Sequence, residues 1–363
     1  MGVDRVKGRQ SGIMRILFIA SGDRSPSCRF RVYPVAAYLS KLGHRCTIRA
    51  SFPQKYDFFP WLGFRPSQLL KRFVRCLHLI EATFRRFDII YIEREVFDHP
   101  SWKFESILRK LAPCVVLDLD DAVFLRYPEK FEQLVPMSDL LVAGNSFLRE
   151  HFSSRHARIF IMPTCIDLQV YRPRGPRKSS GPPIVGWMGT TGNLTYLSIV
   201  APALRRLAQS VPFELRLIAG EDHPLKEIDL TGVNVRFQPW NPATEVADMA
   251  EFDIGIMPLR GDQWDRYKCG LKLLQYMSMG IPGVASPAGV NSEIVDAGVN
   301  GFLGHDEESW TSGLHALLSD TALRDKMGAA ALRTVEERYS LDVNVPRLAV
   351  ALEDALKATR AKA

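Results

Sequence analysis

Two lysines stand four residues apart in the segment KCGLKLLQYMSMGIPG, at Lys268 and Lys272. The apolar pattern predicts a helix that starts near Leu271 and stops at Gly-Ile-Pro, which places Lys272 in its first turn. The helix dipole opposes a cation at that end, and the neighbouring leucines leave little exposed helix surface. We therefore predict that both lysines bind a phosphate group. A pair of solvated lysines is the alternative.

A glycine-rich turn forms a second candidate phosphate site. In GWMGTTGNLTYL, Gly189 and Gly192 flank Thr190 and Thr191 directly before a predicted helix. Backbone N–H groups at a helix start and two hydroxyl groups can bind a phosphate. The glycine spacing is GxxGxxG and not GxGxxG, so it is a weak dinucleotide signal, and a plain strand-to-helix turn is the alternative.

Carboxylates crowd the ends of two predicted strands. VVLDLDDAVF contains Asp118, Asp120 and Asp121, and IEREVF contains Arg94 and Glu95. Neighbouring carboxylates raise each other's pKa, a cost that often marks a catalytic or metal site. We predict Asp120, Asp121 and Glu95 as catalytic candidates. Helix capping by the aspartates, or an ion pair between Arg94 and Glu95, is the alternative.

A polar loop follows the first predicted strand in ASGDRSPSCRFRVYP. Ser21 and Gly22 end that strand, and Arg29 and Arg31 come shortly after it. Arginine side chains at a strand end can bind a phosphate or a sugar, so we assign these four residues to the acceptor or phosphate side of the site. A surface salt bridge is the alternative.

Alternating strand-sized apolar runs and helical patterns would position these residues. The alternation begins at MRILFIAS, stops in RPRGPRKSSGPP and restarts at PIVGWMG. This order predicts an α/β protein with two Rossmann-like domains, each a parallel sheet, that face each other across a cleft. Ligands of such domains bind at the carboxyl ends of the strands, where the candidate residues lie.

The predicted division of the chain has five parts. They are a disordered extension at 1–13, an N-terminal domain at 14–172, a linker at 173–183, a C-terminal domain at 184–335, and a helical tail at 336–363 that can pack back on the N-terminal domain.

Composition narrows the class of protein. Six cysteines are scattered among 363 residues without a metal-ligand spacing, which predicts no disulfide framework and no structural zinc. No apolar run approaches the roughly 20 residues that a membrane-spanning helix needs. The N-terminus lacks the apolar middle of a signal peptide. We therefore predict a cytoplasmic protein in a reducing compartment.

Positive charge is concentrated in residues 55–86. The formal net charge is +7, and this segment has seven basic residues against two acidic residues. Such an excess favours an anionic partner, and we consider a membrane surface at the inner face of the membrane. A packing helix with a solvated basic side is the alternative. No nucleic-acid-binding motif accompanies the patch, so no nucleic-acid partner is predicted.

Seven motifs together resemble the bacterial family 4 glycosyltransferases, which are retaining enzymes with the two-domain GT-B fold. They are SCRFRV, YIEREV, LDLDDAVF, GN at 144–145, MPTCIDLQVY, GWMGTTGNLTYL and KCGLKLLQYMSMGIPGVASPAGVNSEIV. The likeness spans residue 14 to about residue 340. It implies a nucleotide-sugar donor, either a UDP-sugar or a GDP-sugar, bound as a substrate, with no tightly bound cofactor.

The resemblance assigns roles to donor-side residues. Lys272 would neutralise the donor diphosphate, with Gly189 and Thr190 on the other side of it. Two carboxylates that family members commonly carry eight residues apart correspond here to Tyr267 and Gln275, so both acids are missing. Gln275 can still hydrogen-bond ribose hydroxyl groups.

The resemblance also bears on the sugar and the acceptor. The missing sugar contact would pass to Asp265 or to Glu293, which matches a helix start that touches the donor in relatives. Asp120 falls near the reacting sugar carbon. The acceptor would be a glycan or a lipid-linked precursor of a cell-surface polysaccharide. Lysine and helix-start charges make a metal unnecessary. An epimerase-type enzyme or a non-catalytic nucleotide-sugar binding protein is the alternative.

Overall fold

A computed structural model of the protein describes residues 12–173, 175 and 181–362. Most of the predicted disordered extension, and residues 174 and 176–180 of the predicted linker, lie outside the described residues.

The first domain contains a six-stranded parallel sheet. Its strands are β1 (Arg15–Ala20), β2 (Arg45–Ala50), β3 (Ile89–Glu93), β4 (Cys114–Leu119), β5 (Leu140–Ala143) and β6 (Ile159–Ile161). Their order in the sheet is β2-β1-β3-β4-β5-β6. The helices are α1 (Tyr33–Lys41), α2 (Phe64–Arg85), α3 (Lys103–Leu108), α4 (Pro128–Met137) and α5 (Ser146–Phe152). A π-helical turn at Cys28–Val32 and a 3₁₀ helix at Ala122–Leu125 complete the domain.

The second domain also contains a six-stranded parallel sheet, but its strand order is different. Its strands are β7 (Ile184–Met188), β8 (Glu214–Ala219), β9 (Val235–Pro239), β10 (Ile254–Met257), β11 (Gly283–Ala285) and β12 (Gly301–Leu303), in the order β12-β11-β10-β7-β8-β9. Its helices are α6 (Ala201–Ala208), α7 (Glu245–Ala250), α8 (Leu271–Ser278), α9 (Asn291–Ile294), α10 (Glu307–Ser319) and α11 (Thr321–Arg338). A last helix, α12 (Leu341–Arg360), follows α11. The 3₁₀ helices are Thr191–Ile199, His223–Glu227 and Asp265–Tyr267.

Both sheets are buried on both faces, which explains their nearly continuous apolar runs. Every residue of β3, β4 and β5 is buried, and so is every residue of β7 and β10. Parallel strands need helical crossovers, and these helices cover the two faces of each sheet. The prediction of two Rossmann-like α/β domains is confirmed.

Helix α12 returns to the first domain. Its buried side chains Leu348 and Leu352 belong to the same apolar core as Ile16 and Phe18 of β1. Arg360 at its end also contacts Asp88, just before β3. The chain therefore crosses between the domains a second time, in addition to the crossing between β6 and β7.

Two local expectations differ from the structure. Strand β12 was not predicted, because its three residues lie beside glycines and are too few to show a period. The helix expected after the glycine-rich turn begins as a 3₁₀ helix and becomes α-helical only at Ala201. Pro202 explains the break, because proline lacks an N–H donor and its ring clashes with the carbonyl four residues before it.

The expected solvated basic side of α2 is only partly present, because Arg65, Arg72 and Arg85 are exposed whereas two other basic residues turn inward. Lys71 and Arg75 are buried. Lys71 Nζ donates to the carbonyl oxygen of Lys55 at 2.7 Å, and Arg75 donates to that of Ala20 at 2.7 Å. Within the described residues, no helix combines the length and the apolar character needed to cross a membrane.

Candidate functional site

A cavity of about 840 Å³ lies between the two domains. Many of its lining residues directly follow a strand, such as Asp120 after β4, Gly189 after β7, Gly220 after β8 and Trp240 after β9. The carboxyl ends of both sheets therefore meet at this cavity, as is usual for ligand sites in open α/β sheets.

Lys272 lines the cavity from the first turn of α8. Gly270, which has a left-handed backbone at φ +68°, turns the chain into the helix. Lys272 Nζ lies 5.6 Å from the centre of the Trp187 ring, and no carboxylate of the described chain lies within 4.0 Å of it. Burial, and secondarily the charge of Lys268, lower the pKa of Lys272 to about 8. The site thus holds a cation that the described residues do not neutralise directly.

Lys268 also lines the cavity and has weak internal partners. Its Nζ lies 3.9 Å from Asp265 Oδ1 and 5.9 Å from the centre of the Tyr196 ring. The side chain is about one-fifth exposed, so it can reorient toward an anion in the cavity.

The glycine-rich turn faces the lysines. A β-carbon at Gly189 would lie 2.8 Å from Lys272 Cε and 2.7 Å from the Trp187 ring, so only glycine allows this close approach. The Gly189 N–H donates to the Ile218 carbonyl, and Thr191 Oγ1 accepts from Glu221 N–H. Thr190 and Thr191 line the cavity beside them.

Two of the predicted catalytic acids line the opposite wall. Arg94, itself held in a left-handed conformation at φ +60°, donates from Nε to Asp120 Oδ1 at 2.6 Å and lies 3.8 Å from Asp121. Burial raises the pKa of Asp120, but the charge and hydrogen bond of Arg94 outweigh it and lower that pKa to about 2. Burial raises the pKa of Asp121, whose side chain also caps the following turn at Ala122 N–H.

Three predicted site residues of the first domain lie outside the cavity lining. Glu95 is buried, 3.4 Å from Lys55 Nζ, and accepts a hydrogen bond from Tyr56, so it does not pair with Arg94. Ser21 is buried and donates from its N–H to Glu93 at 2.8 Å. Gly22 forms a turn against Gln54. The structure therefore places Glu95, Ser21 and Gly22 in the support behind the wall, because their polar groups are used internally.

The two predicted arginines line the cavity but have carboxylate partners. Arg31 is buried and binds both oxygens of Asp118, at 2.6 and 3.1 Å. Arg29 donates to Glu245 across the domain interface at 2.7 Å. For Arg31 the structure therefore matches the salt-bridge alternative, although the pair with Asp118 is buried and not at the surface. The assignment of both arginines to the acceptor or phosphate side stays a prediction.

The sequence analysis missed Glu245. This buried carboxylate lines the cavity and receives hydrogen bonds from Tyr171 Oη at 2.7 Å, Trp240 Nε1 at 2.8 Å and Gln275 Nε2 at 3.2 Å, in addition to Arg29. Its signal in the sequence is weak, because it is a single acid at the start of α7 after the loop that follows β9. It places an acid next to Gln275, at a position where the resemblance indicated that an acid was missing.

The other two acids considered for the donor do not line this cavity. Asp265 is buried and accepts from Tyr196 Oη at 2.6 Å and from the Arg260 N–H at 2.8 Å. Glu293 hydrogen-bonds to Ser146 of the first domain and lines a separate cavity of about 570 Å³. Tyr267 is buried against Phe124. The expectation that Asp265 or Glu293 replaces the missing sugar ligand is not supported by their positions.

The described residues contain neither a disulfide nor a cluster of metal ligands. All six cysteines fall in the described ranges and are free. Across residues 12–173, 175 and 181–362, no cluster of three or more His, Cys, Asp and Glu side chains could hold a metal ion.

The sequence of the second domain is similar to known glycosyltransferases. Residues 182–320 match the family described as "Glycosyl transferases group 1". D-inositol 3-phosphate glycosyltransferases from Nocardiopsis dassonvillei and Xylanimonas cellulosilytica are 24% and 26% identical to the chain, over 55% and 58% of it. The aligned regions cover 52% and 56% of those relatives, so the match spans about half of their length. These matches show that this part of the chain is similar to group 1 glycosyltransferases.

Solved structures share the arrangement of the whole chain. A glycosyltransferase from Rickettsia africae has a TM-score of 0.70 at 17% identity, covering 95% of this chain and 99% of that one. The Anabaena protein HepE, solved with UDP and glucose, has a TM-score of 0.65 at 18% identity, covering 93% and 99%. At these identities the likeness shows the fold, which is the GT-B arrangement of two Rossmann-like domains.

Proposed function

We propose that the protein is a retaining glycosyltransferase that moves a sugar from a UDP-sugar or GDP-sugar to a glycan or lipid-linked acceptor. The observation that carries the proposal is Lys272, a half-buried cation without an internal carboxylate partner, at the wall of an interdomain cavity. A buried ammonium group is costly unless an anion compensates it, and the donor diphosphate is such an anion.

In the proposed transfer reaction, the charged side chains of the cavity stabilise the charges that develop on the donor. Cleavage of the sugar–phosphate bond leaves negative charge on the departing diphosphate, which Lys272 and Lys268 would stabilise. Positive character grows at the sugar carbon, opposite Asp120 and Asp121. The acceptor oxygen bonds to that carbon, and its proton passes to the leaving phosphate oxygen. Attack on the same face of the sugar then retains its configuration.

Asp120 supports retention more than inversion. Because Arg94 lowers the pKa of Asp120 to about 2, this carboxylate is a poor base for an acceptor hydroxyl group. Its role would be to stabilise positive charge, with Arg94 fixing its position. Asp121 would share that role from the start of the next turn.

The donor base and ribose have a proposed location beside α8. Gln275 Nε2 and the Glu245 carboxylate lie 3.2 Å apart in the cavity wall and could bind ribose hydroxyl groups together. UDP is the first donor nucleotide to test, because the Anabaena neighbour was solved with it. We further propose that the acceptor is a precursor of a cell-surface polysaccharide and that transfer occurs on the cytoplasmic side.

A thermal-shift panel of UDP, GDP, ADP and their sugar derivatives tests the donor site. We expect one nucleotide class to raise the melting temperature of the wild-type protein, because a ligand at 100 times its Kd stabilises the folded state by about 2.7 kcal/mol. Lys272→Ala should abolish that shift. The matched control is Lys357→Ala, which removes a largely exposed lysine of α12.

Two outcomes would contradict the proposal. One is the absence of a shift with every nucleotide, and the other is an equal shift in wild type and Lys272→Ala. Once the donor is known, the anomeric configuration of the product, read by proton coupling constants in NMR spectra, tests retention separately.

A further inference from the structure

We propose that helix α2 docks onto an anionic phospholipid bilayer through an exposed apolar stripe. The stripe consists of five side chains that are 47–81% exposed: Leu69, Phe73, Leu77, Ile80 and Phe84. They recur at intervals of four, four, three and four residues, so they lie on one face of the helix. Single exposed apolar residues are common, but a continuous stripe of this kind marks an interaction surface.

Polar contacts on the opposite face of α2 hold the helix in the orientation that exposes the apolar stripe. Ser67, Lys71, Arg75 and Ala82 are buried there. The Lys71 ammonium donates to the carbonyl groups of Lys55 and Asp57 at 2.7 and 3.1 Å. Rotation of α2 to bury the stripe would break these hydrogen bonds and leave polar groups unsatisfied. The apolar stripe is therefore exposed because the opposite face is held by polar contacts.

The loop before α2 and the first residue of the helix extend the surface with aromatic side chains. Phe58, Trp61 and Phe64 are 46%, 79% and 62% exposed. Tryptophan has an apolar ring and a polar N–H group, and it is enriched at the interface between lipid and water. Together with the apolar stripe, these three residues make eight large exposed apolar side chains between residues 58 and 84.

The charges around the stripe favour lipid with anionic headgroups. In residues 58–86, all of which the structure describes, the exposed charged residues are Arg65, Arg72, Arg85 and Arg86. The single acid of this segment, Glu81, is paired with Arg49 and Arg85. A fluid bilayer accepts protruding apolar side chains without a complementary groove, and anionic headgroups match the arginines.

The docking surface begins next to the interdomain cavity. Asp57 lines the cavity, and its carbonyl group is bound by Lys71 of α2. Trp61 follows four residues later. A docked bilayer would therefore lie beside the first-domain wall of the cavity, where a lipid-linked acceptor could enter. This last step rests on the proposed function, whereas the docking itself does not.

Co-sedimentation of the full chain with vesicles tests the docking. We expect binding to vesicles that contain phosphatidylglycerol and weaker binding to phosphatidylcholine alone. Substituting serine for Phe73, Leu77 and Phe84 together should weaken binding at least about tenfold, because each apolar side chain contributes to insertion. The matched control carries serine at Leu42, Val299 and Val350, which are also exposed apolar residues but lie elsewhere on the surface.

A charge-reversal variant separates the electrostatic contribution to vesicle binding from the apolar contribution. Arg65→Glu combined with Arg72→Glu should abolish the preference for phosphatidylglycerol, since both guanidinium groups are exposed. Donor binding is measured in the same samples by the thermal shift with UDP. A triple-serine variant that keeps the wild-type nucleotide response but loses vesicle binding supports docking independently of the proposed function.

Three results would overturn the inference. They are a wild-type protein that binds neither vesicle, a triple-serine variant that binds as the wild type does, and a wild-type dimer that the triple variant converts to a monomer while vesicle binding stays unchanged. The last result, from light scattering after gel filtration, would assign the stripe to contact between two copies of the chain.

Discussion

Raising the pH through 8 is expected to weaken the binding of UDP, because Lys272 loses its charge there. Burial and the charge of Lys268 lower the pKa of Lys272 to about 8 in the protein without ligand. A bound diphosphate stabilises the ammonium form and raises that pKa. Below pH 8 the lysine already carries its proton, so binding has its full strength. Above pH 8 the proton must be taken up on binding, and affinity falls until the pH reaches the pKa of the complex.

The magnitude follows from the fraction of charged lysine. At one pH unit above its pKa, about one-tenth of Lys272 is protonated, so the affinity for UDP should fall by about tenfold, or about 1.4 kcal/mol. The terminal phosphate of UDP has a second pKa of about 6, so it remains ionised throughout this range.

Isothermal titration calorimetry with UDP measures this effect directly. Titrations in buffers of different ionisation enthalpy report the protons taken up, which should be near zero well below pH 8 and about one half at pH 8. Lys272→Arg is the matched control, because arginine stays charged and its binding should be flat over the same range. Equal pH dependence in wild type and Lys272→Arg would refute the reasoning.

Two further predictions concern the carboxylates. Glu245→Gln should lower the free energy of unfolding in urea by about 1–3 kcal/mol, because it removes the buried partner of Arg29 across the domain interface. Glu308→Gln, whose pair with Arg206 is exposed on both sides, should change it by only about 0–1 kcal/mol, and equal losses would contradict the role of the buried pair. Asp120→Asn should lower kcat by about 10²–10³-fold while Glu95→Gln mainly lowers the melting temperature, and the reverse pattern in a coupled sugar-transfer assay would show that Glu95 reacts.

The pattern of apolar residues was sufficient for the fold. Strands that are buried on both faces, such as β3 and β4, must be apolar nearly throughout. Their positions can therefore be predicted without knowing which strands they pair with. The end of α8 was predictable in the same way, because the glycine and proline that follow it disfavour a helix through their own backbone conformation. Three-residue strands such as β12 leave no period to detect.

The candidate site was only partly predictable. Lys272 stands in the first turn of α8, and Asp120 directly follows β4. The apolar pattern predicts both elements clearly, and both residues line the cavity. Glu95 follows β3, which is predicted equally clearly, but its side chain points into the core toward Lys55. A sequence shows that a charged residue follows a strand, but the direction of its side chain depends on partners far away in the chain.

Local patterns in the chain were enough to predict the two α/β domains, the cation at the start of α8 and the acids at the end of β4, because apolar periodicity and turn residues act over a few neighbouring positions. The tertiary structure alone decided that Glu245 joins the cavity and that α2 buries its lysine and exposes its phenylalanines. Those choices depend on distant groups, namely Arg29 and Tyr171 around Glu245 and the carbonyl groups of residues 55 and 57 around Lys71.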